Sequence, residues 1–165
     1  VRSSGVRVAL VACSASKLDR PAPARELYTG TAFRLAVAYA EVCGAAWYVL
    51  SAKHGVVAPD EVLEPYDVSM SQLLLDGGRR THPSPLGAWA TRCRGALMKD
   101  RASGALVRAG DVVELLAPAA YANPLAGLLR AWGAVAETPL SGLGIGSQLG
   151  WLKSAAEKAL GEVAP

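Results

Sequence analysis

The chain has 165 residues, 52% of them hydrophobic and 19% charged, with a formal net charge of +3. That length predicts one domain over residues 1–165 with a substantial core, and that composition excludes a disordered chain. The mild positive charge tolerates an anionic partner without demanding one, and no apolar run reaches membrane-spanning length.

Arg7 to Ala12 reads as the first strand, nearly continuous in apolar character, as expected of a central strand buried on both faces of a mostly parallel sheet. It runs into Cys13-Ser14-Ala15-Ser16-Lys17, a strand-end cluster of small polar groups and an amine. Pro21, Pro23 and Gly30 punctuate a long loop carrying Arg20, Arg25, Glu26 and Tyr28, and long loops in compact domains are often functional. Thr29 or Thr31 is the expected cap of a helix over Ala32 to Val42, with Gly44 ending it. Trp47 to Leu50 forms the next strand. Strand, loop, helix and strand make a βαβ unit, which predicts Cys13 and Ser51 at the same sheet edge.

Asp67 to Met70 then leads into a short helix through Leu75, followed by a flexible basic connection from Gly77 to Pro83. Ser84 as N-cap and Pro85 at the first helical position open a helix to about Lys99, whose exposed face carries Arg92, Arg94, Lys99 and Arg101. Val112 to Leu116 is a strand ending at a small-residue edge with one aromatic hydroxyl, Tyr121. A helix over Pro124 to Trp132, a short strand over Ala134 to Thr138 and a final helix over Ser147 to Leu160 complete an α/β pattern. The expected architecture is a single Rossmann-like three-layer domain with a mostly parallel central sheet.

The stretch from Trp47 to Tyr66 stands out. A buried strand stops abruptly at Ser51, Lys53, His54 and Gly55, which gather a hydroxyl, an amine, an imidazole and a flexible glycine where ligands sit in open α/β sheets. The competing reading is a solvated turn in which Gly55 supplies a positive φ. The run Gly142 to Gly146 has G-x-G-x-G spacing at the last helix, not the dinucleotide fingerprint of a first βα turn, and no Walker lysine pattern occurs. Gly144 and its neighbours can still present backbone N–H groups to a phosphate or carboxylate; a tight turn without ligand is the alternative.

Cys13 resembles a nucleophile with His54 as its base, or else a small buried residue. Lys17 and Lys53 are either amines whose proton affinity a neighbouring cation lowers, which makes them a nucleophile or base, or protonated anion binders, the safer of the two roles. Glu64 and Asp67 are acids near these clusters. Cys13, Cys43 and Cys93 are odd in number with no CxxC pair, which predicts a reducing, cytoplasmic setting and no metal site; no cofactor is expected. The N-terminus also lacks a signal-peptide h-region.

The segment Val49 to Asp60, continuing through Glu64-Pro65-Tyr66, resembles the Leu-Ser-x-x-Tyr-Gly … Pro … Pro-Tyr stretch of YaaA-type peroxide-stress proteins, with His54 standing where that family has tyrosine. Cys13-Ser14-Ala15-Ser16-Lys17 is similar to the Cys-Ser…Lys motif of archaeosine synthase and related 7-deazaguanine enzymes, where a lysine attacks a nitrile-bearing base. Here the cysteine-to-lysine spacing is one residue shorter and the following Pro-Tyr is absent. Over nearly its full length, including Pro139 to Gly146 and Trp151-Leu152-Lys153, the chain looks most like a small bacterial and phage domain family allied to these.

The leading expectation is a metal-independent enzyme acting on a nucleobase, nucleoside or nucleotide, most simply by N-glycosidic cleavage or base transfer. Lys53, His54, Glu64 and Asp67 are its expected catalytic residues. Cys13, Ser14, Ser16, Lys17, Tyr28, Ser51, Gly55, Tyr66, Tyr121 and Gly144 are expected to bind the small-molecule ligand, with the tyrosines stacking on its base. The alternative, as the YaaA resemblance implies, is a non-catalytic nucleic-acid-binding protein. It would use Arg79, Arg80, Arg92, Arg94, Lys99 and Arg101 for weak electrostatic contacts. A structural partner-binding domain is a third class. No feature selects an oligomeric state.

Overall fold

A computed structural model describes residues 5–43, 45–68, 85–98 and 106–163. In chain order these form β1 (Arg7–Ala12), β2 (Ala22–Pro23), α1 (Ala24–Leu27), α2 (Thr31–Val42), β3 (Ala46–Ser51), β4 (Gly55–Val57) and β5 (Val62–Leu63). They continue with α3 (Pro85–Leu97), β6 (Val112–Leu116), α4 (Ala119–Trp132), β7 (Val135–Glu137) and α5 (Ile145–Val163).

Five strands make one mixed sheet in the order β4-β3-β1-β6-β7. The strands β3, β1, β6 and β7 run parallel, and β4 folds back antiparallel on β3. The protein is thus an α/β fold with a mostly parallel sheet. Its chain passes from β1 to β3 on one side and later returns to set β6 on the other side of β1. The alternation of β1 divides the core. Val8 and Leu10 join residues of α3 and α4 in one apolar cluster, while Ala9 and Val11 join residues of α2 and Leu152 of α5 in the other. Burial on both faces is why β1 is apolar from Val8 onward.

Several boundaries differ from the sequence expectation for backbone reasons. Neither threonine caps α2: Gly30 is the N-cap with no side-chain hydrogen bond, and the Thr29 amide is engaged by the Ser16 carbonyl at 3.0 Å. The helix α4 starts five residues before Pro124 and carries that proline inside it. The carbonyl that loses its partner there belongs to Ala120, which is exposed and open to water. The final helix starts at Ile145, two residues before the expected start. Gly44, Ser84, Lys99 and most of the expected short helix after Asp67 lie outside the described residues.

One carboxyl interrupts the apolar β6. Glu114 is 5% exposed and accepts a hydrogen bond from Arg7 at 2.9 Å, with Glu137 sharing the same guanidinium nitrogen at 3.3 Å. Burial raises the Glu114 pKa, against the opposing pull of the Tyr39 hydroxyl and Arg7. For Arg7 the balance is different: partial burial lowers its pKa and the two carboxylates more than reverse that. Burial decides the sign at Glu114 because its side chain is 7% exposed against 44% for Arg7. With the folded pKa above the unfolded one, the stability from this proton is fully present below the unfolded pKa. It is lost as pH rises through the folded value. Glu114→Gln should therefore match the parent in urea titrations at acid pH and be the more stable protein at neutral pH. A variant weaker at both would mean that Arg7 attraction outweighs burial.

Candidate functional site at the carboxyl edge

β1 and β3 end side by side: the Cys13 amide donates to the Leu50 carbonyl at 3.0 Å, which places Cys13 next to Ser51. The loop that follows doubles back on itself. Leu18 N–H meets the Leu27 carbonyl at 2.9 Å, and Lys17 and Tyr28 face each other across an isolated bridge. Ser14 closes the loop at its base, donating to the Ser16 carbonyl at 2.7 Å and accepting from the Gly30 amide at 3.2 Å. Only glycine fits at position 30, because a Cβ there would lie 2.7 Å from that of Ser14. A second strap, the antiparallel pair β2–β5 with Ala24 N–H on the Glu61 carbonyl at 2.9 Å, ties this loop to the segment leading to Tyr66.

The strand β3 turns into β4 through Ser51 to Gly55, and Gly55 takes a φ of 75°, which residues with a Cβ rarely adopt. Ser51 is fully buried; its Oγ accepts the His54 amide at 3.0 Å and lies 2.7 Å from the Tyr66 hydroxyl. That hydroxyl is in turn 2.5 Å from the Tyr28 hydroxyl. Three hydroxyls therefore form one chain, Tyr28–Tyr66–Ser51. Around the Tyr66 ring stand Lys17 Nζ at 4.5 Å from its centroid, Lys53 Nζ at 5.7 Å and the His54 ring, edge-on at 5.2 Å.

Burial sets the protonation of this cluster. It raises the Cys13 pKa, and hydrogen bonding with the Ala52 backbone, the charge of Lys17 and the Tyr66 hydroxyl only partly oppose it, so the group is a thiol and not an activated thiolate. Burial likewise raises the phenols of Tyr28, Tyr66 and Tyr121, Tyr121 also feeling Cys13. His54 is exposed overall, and its pKa is lowered, first by the slight burial of its ring and then by Lys53 and Arg92, with Glu61 opposing. At neutral pH the cluster offers a neutral imidazole, neutral hydroxyls and two lysine side chains.

The structure brings Cys13, Lys17, Tyr28, Ser51, Lys53, His54 and Tyr66 together, with Tyr121 beside Cys13. Three other expected site residues do structural work. Ser14 and the Ser16 carbonyl bracket the loop, and Gly55 shapes the turn. Glu64 and Asp67 are exposed on either side of Tyr66 in sequence, and Gly144 is exposed just before α5. Tyr28 cannot stack on a base: it is 1% exposed and its ring packs on Phe33 at 5.1 Å, leaving only its hydroxyl to the site.

Arg92 and Arg94 do not share one surface. Arg92 donates to the Lys53 carbonyl at 3.2 Å, whereas Arg94 lines a cleft with Met98 and Trp132. Arg79, Arg80, Lys99 and Arg101 lie outside the described residues. A groove of about 440 Å³ between α2 and α5, walled by Tyr39 and Trp151, includes none of the clustered residues. Among the described residues no three His, Cys, Asp or Glu side chains gather as a metal site, and no helix is long and apolar enough to cross a membrane.

Sequence reasoning missed Trp89, whose buried indole N–H donates to the Ser51 carbonyl at 2.9 Å, and Glu61, the carboxylate that acts on His54. No spacing signal marks either of them. Residues 8–154 match the model of one protein family, a family of unknown function (DUF6884). No curated protein matches the chain.

Proposed function

We propose that this chain, which belongs to the DUF6884 family, is an enzyme that acts on a nucleobase, nucleoside or nucleotide at the carboxyl edge of β1 and β3. The observation that carries this reading is the placement of Lys17, Lys53 and His54 around one tyrosine ring whose hydroxyl is tied to Ser51 and Tyr28. A cation pair holds the anionic part of the ligand, and a neutral imidazole and a chain of hydroxyls move protons beside it. Sheet order supports the location. If the domain is a Rossmann-like three-layer fold, its topological switch point lies between β1 and β6, and ligands bind outside the strand ends there.

The chemistry that suits these groups is N-glycosidic cleavage or base transfer. The C1′–N bond breaks and a bond from C1′ to the oxygen of water, or to an incoming base, replaces it. In hydrolysis His54 takes a proton from the attacking water, and the Tyr66–Ser51 hydroxyls deliver one to the leaving base nitrogen. The imidazolium then returns its proton to them. Glu64 or Asp67, flanking Tyr66, would supply the carboxylate facing the sugar. The resemblance of the Cys13–Lys17 and Ser51–Tyr66 segments to base-modifying and peroxide-stress families agrees with a base-bearing ligand, and three free cysteines agree with a cytoplasmic setting.

The test is heat protection by a panel of nucleobases, nucleosides and nucleotides. A binding ligand should raise the Tm in proportion to the logarithm of its excess over Kd. Lys17→Met should weaken nucleotide binding by about 10–100-fold, the equivalent of one charge-assisted contact, and weaken the free base far less. A panel that leaves the parent Tm unmoved at millimolar concentration would reject the reading.

A further inference from the structure

The turn that presents Lys53 and His54 is held from two sides. Inside it, the Ser51 Oγ accepts the His54 amide at 3.0 Å. Outside it, α3 donates to two of its carbonyls: the Trp89 indole to Ser51 at 2.9 Å, and the Arg92 guanidinium to Lys53 at 3.2 Å. Trp89 and Arg92 are three residues apart, so they lie on one face of the helix and reach the turn together. The contact is close. A Cβ on Gly55 would lie 3.5 Å from the Arg92 Nε and 3.7 Å from the Cys93 sulfur. Trp89 is 2% exposed, and a buried indole N–H needs a hydrogen-bond partner, which the Ser51 carbonyl supplies.

We propose that Trp89 and Arg92 are positioning residues: one turn of α3 clamps the carbonyls of Ser51 and Lys53 and so fixes the reach of the Lys53 and His54 side chains at the carboxyl edge. The assignment rests on the reading that Lys53 and His54 work at this edge. Arg92 has a second effect through its charge. The groups facing His54 are Lys53 from its own turn, Arg92 from α3, Glu61 from the segment before β5 and the edge-packed ring of Tyr66. Loss of the Arg92 charge removes one of the two cations that oppose the imidazolium.

Amide hydrogen exchange and the imidazole titration of His54, both read by NMR on the full chain, test the clamp without any ligand. Trp89→Phe keeps the ring and deletes the donor; exchange at the His54 amide should quicken by about three- to tenfold, the usual worth of one hydrogen bond. Arg92→Gln keeps a donor and deletes the charge, so exchange should stay as in the parent while the His54 titration moves up toward its ordinary value. Arg92→Met, at an exposed site that leaves the core intact, should show both changes. Unchanged exchange in Arg92→Met and in Trp89→Phe overturns the clamp. Failure of the functional reading shows separately, as absence of nucleotide protection in a parent protein whose turn still responds to these substitutions.

Discussion

If the chain is the enzyme proposed, His54→Ala should lower its turnover of a nucleoside or nucleotide by about 10²–10⁴-fold, the contribution of a positioned acid–base group. The Tm should hardly move, because His54 is exposed and surface changes usually stay within about ±0.5 kcal/mol. Lost activity with a stable fold separates chemistry from structure; a fall in Tm comparable to a core truncation would make the imidazole a structural element. The pH profile carries the same assignment. A base must be neutral to act, so kcat/KM should fall as pH drops through the His54 pKa. Burial, Lys53 and Arg92 hold that pKa below the ordinary value, near 6.5, of a free imidazole. The acid limb should therefore lie below that value. Lys53→Met deletes a repelling charge and should shift the limb to higher pH. A limb above the ordinary value would show that Glu61 outweighs burial and both cations.

Tyr66→Phe should cost about 1–3 kcal/mol, because it deletes the central hydroxyl of the Tyr28–Tyr66–Ser51 chain and leaves two others short of a partner. Tyr28 and Ser51 are 1% and 0% exposed, so water cannot easily replace what is lost. At about 2–4 °C per kcal/mol for a chain of this size, the Tm should fall by roughly 2–12 °C. The doubly substituted Tyr28→Phe/Tyr66→Phe protein should lose less than the sum of the two single changes, since removing both ends of one hydrogen bond leaves nothing unpaired between them. Strict additivity would show that the two hydroxyls do not share their 2.5 Å contact in solution.

Much of the scaffold was legible because it is governed by local pattern. The nearly continuous apolar run in Arg7–Ala12 announces a strand buried on both faces, and it lies at the sheet centre with the predicted bounds. The βαβ reading puts Cys13 and Ser51 at the same sheet edge, and the Cys13–Leu50 hydrogen bond shows them there, side by side. The polar clusters at Lys17 and at Ser51–His54 were visible as breaks in apolar runs at strand ends. A break of that kind has a position in the sequence and needs no partner to be seen.

Partnership is what only the tertiary structure decided. Tyr28 and Tyr66 are 38 residues apart, and nothing in either neighbourhood tells that their hydroxyls meet. Nor does it tell that one ring belongs to the core while the other is flanked by two lysines. Trp89 reads as an ordinary apolar helix residue until β3 ends beneath it and its N–H finds the Ser51 carbonyl. The hairpin that returns β4 along β3 depends on Gly55 entering a positive φ, which glycine permits but does not compel. Helix turns and caps draw part of their free energy from neighbours along the chain. A site draws its own from groups desolvated together, and that pairing exists only after the sheet has brought the strand ends side by side.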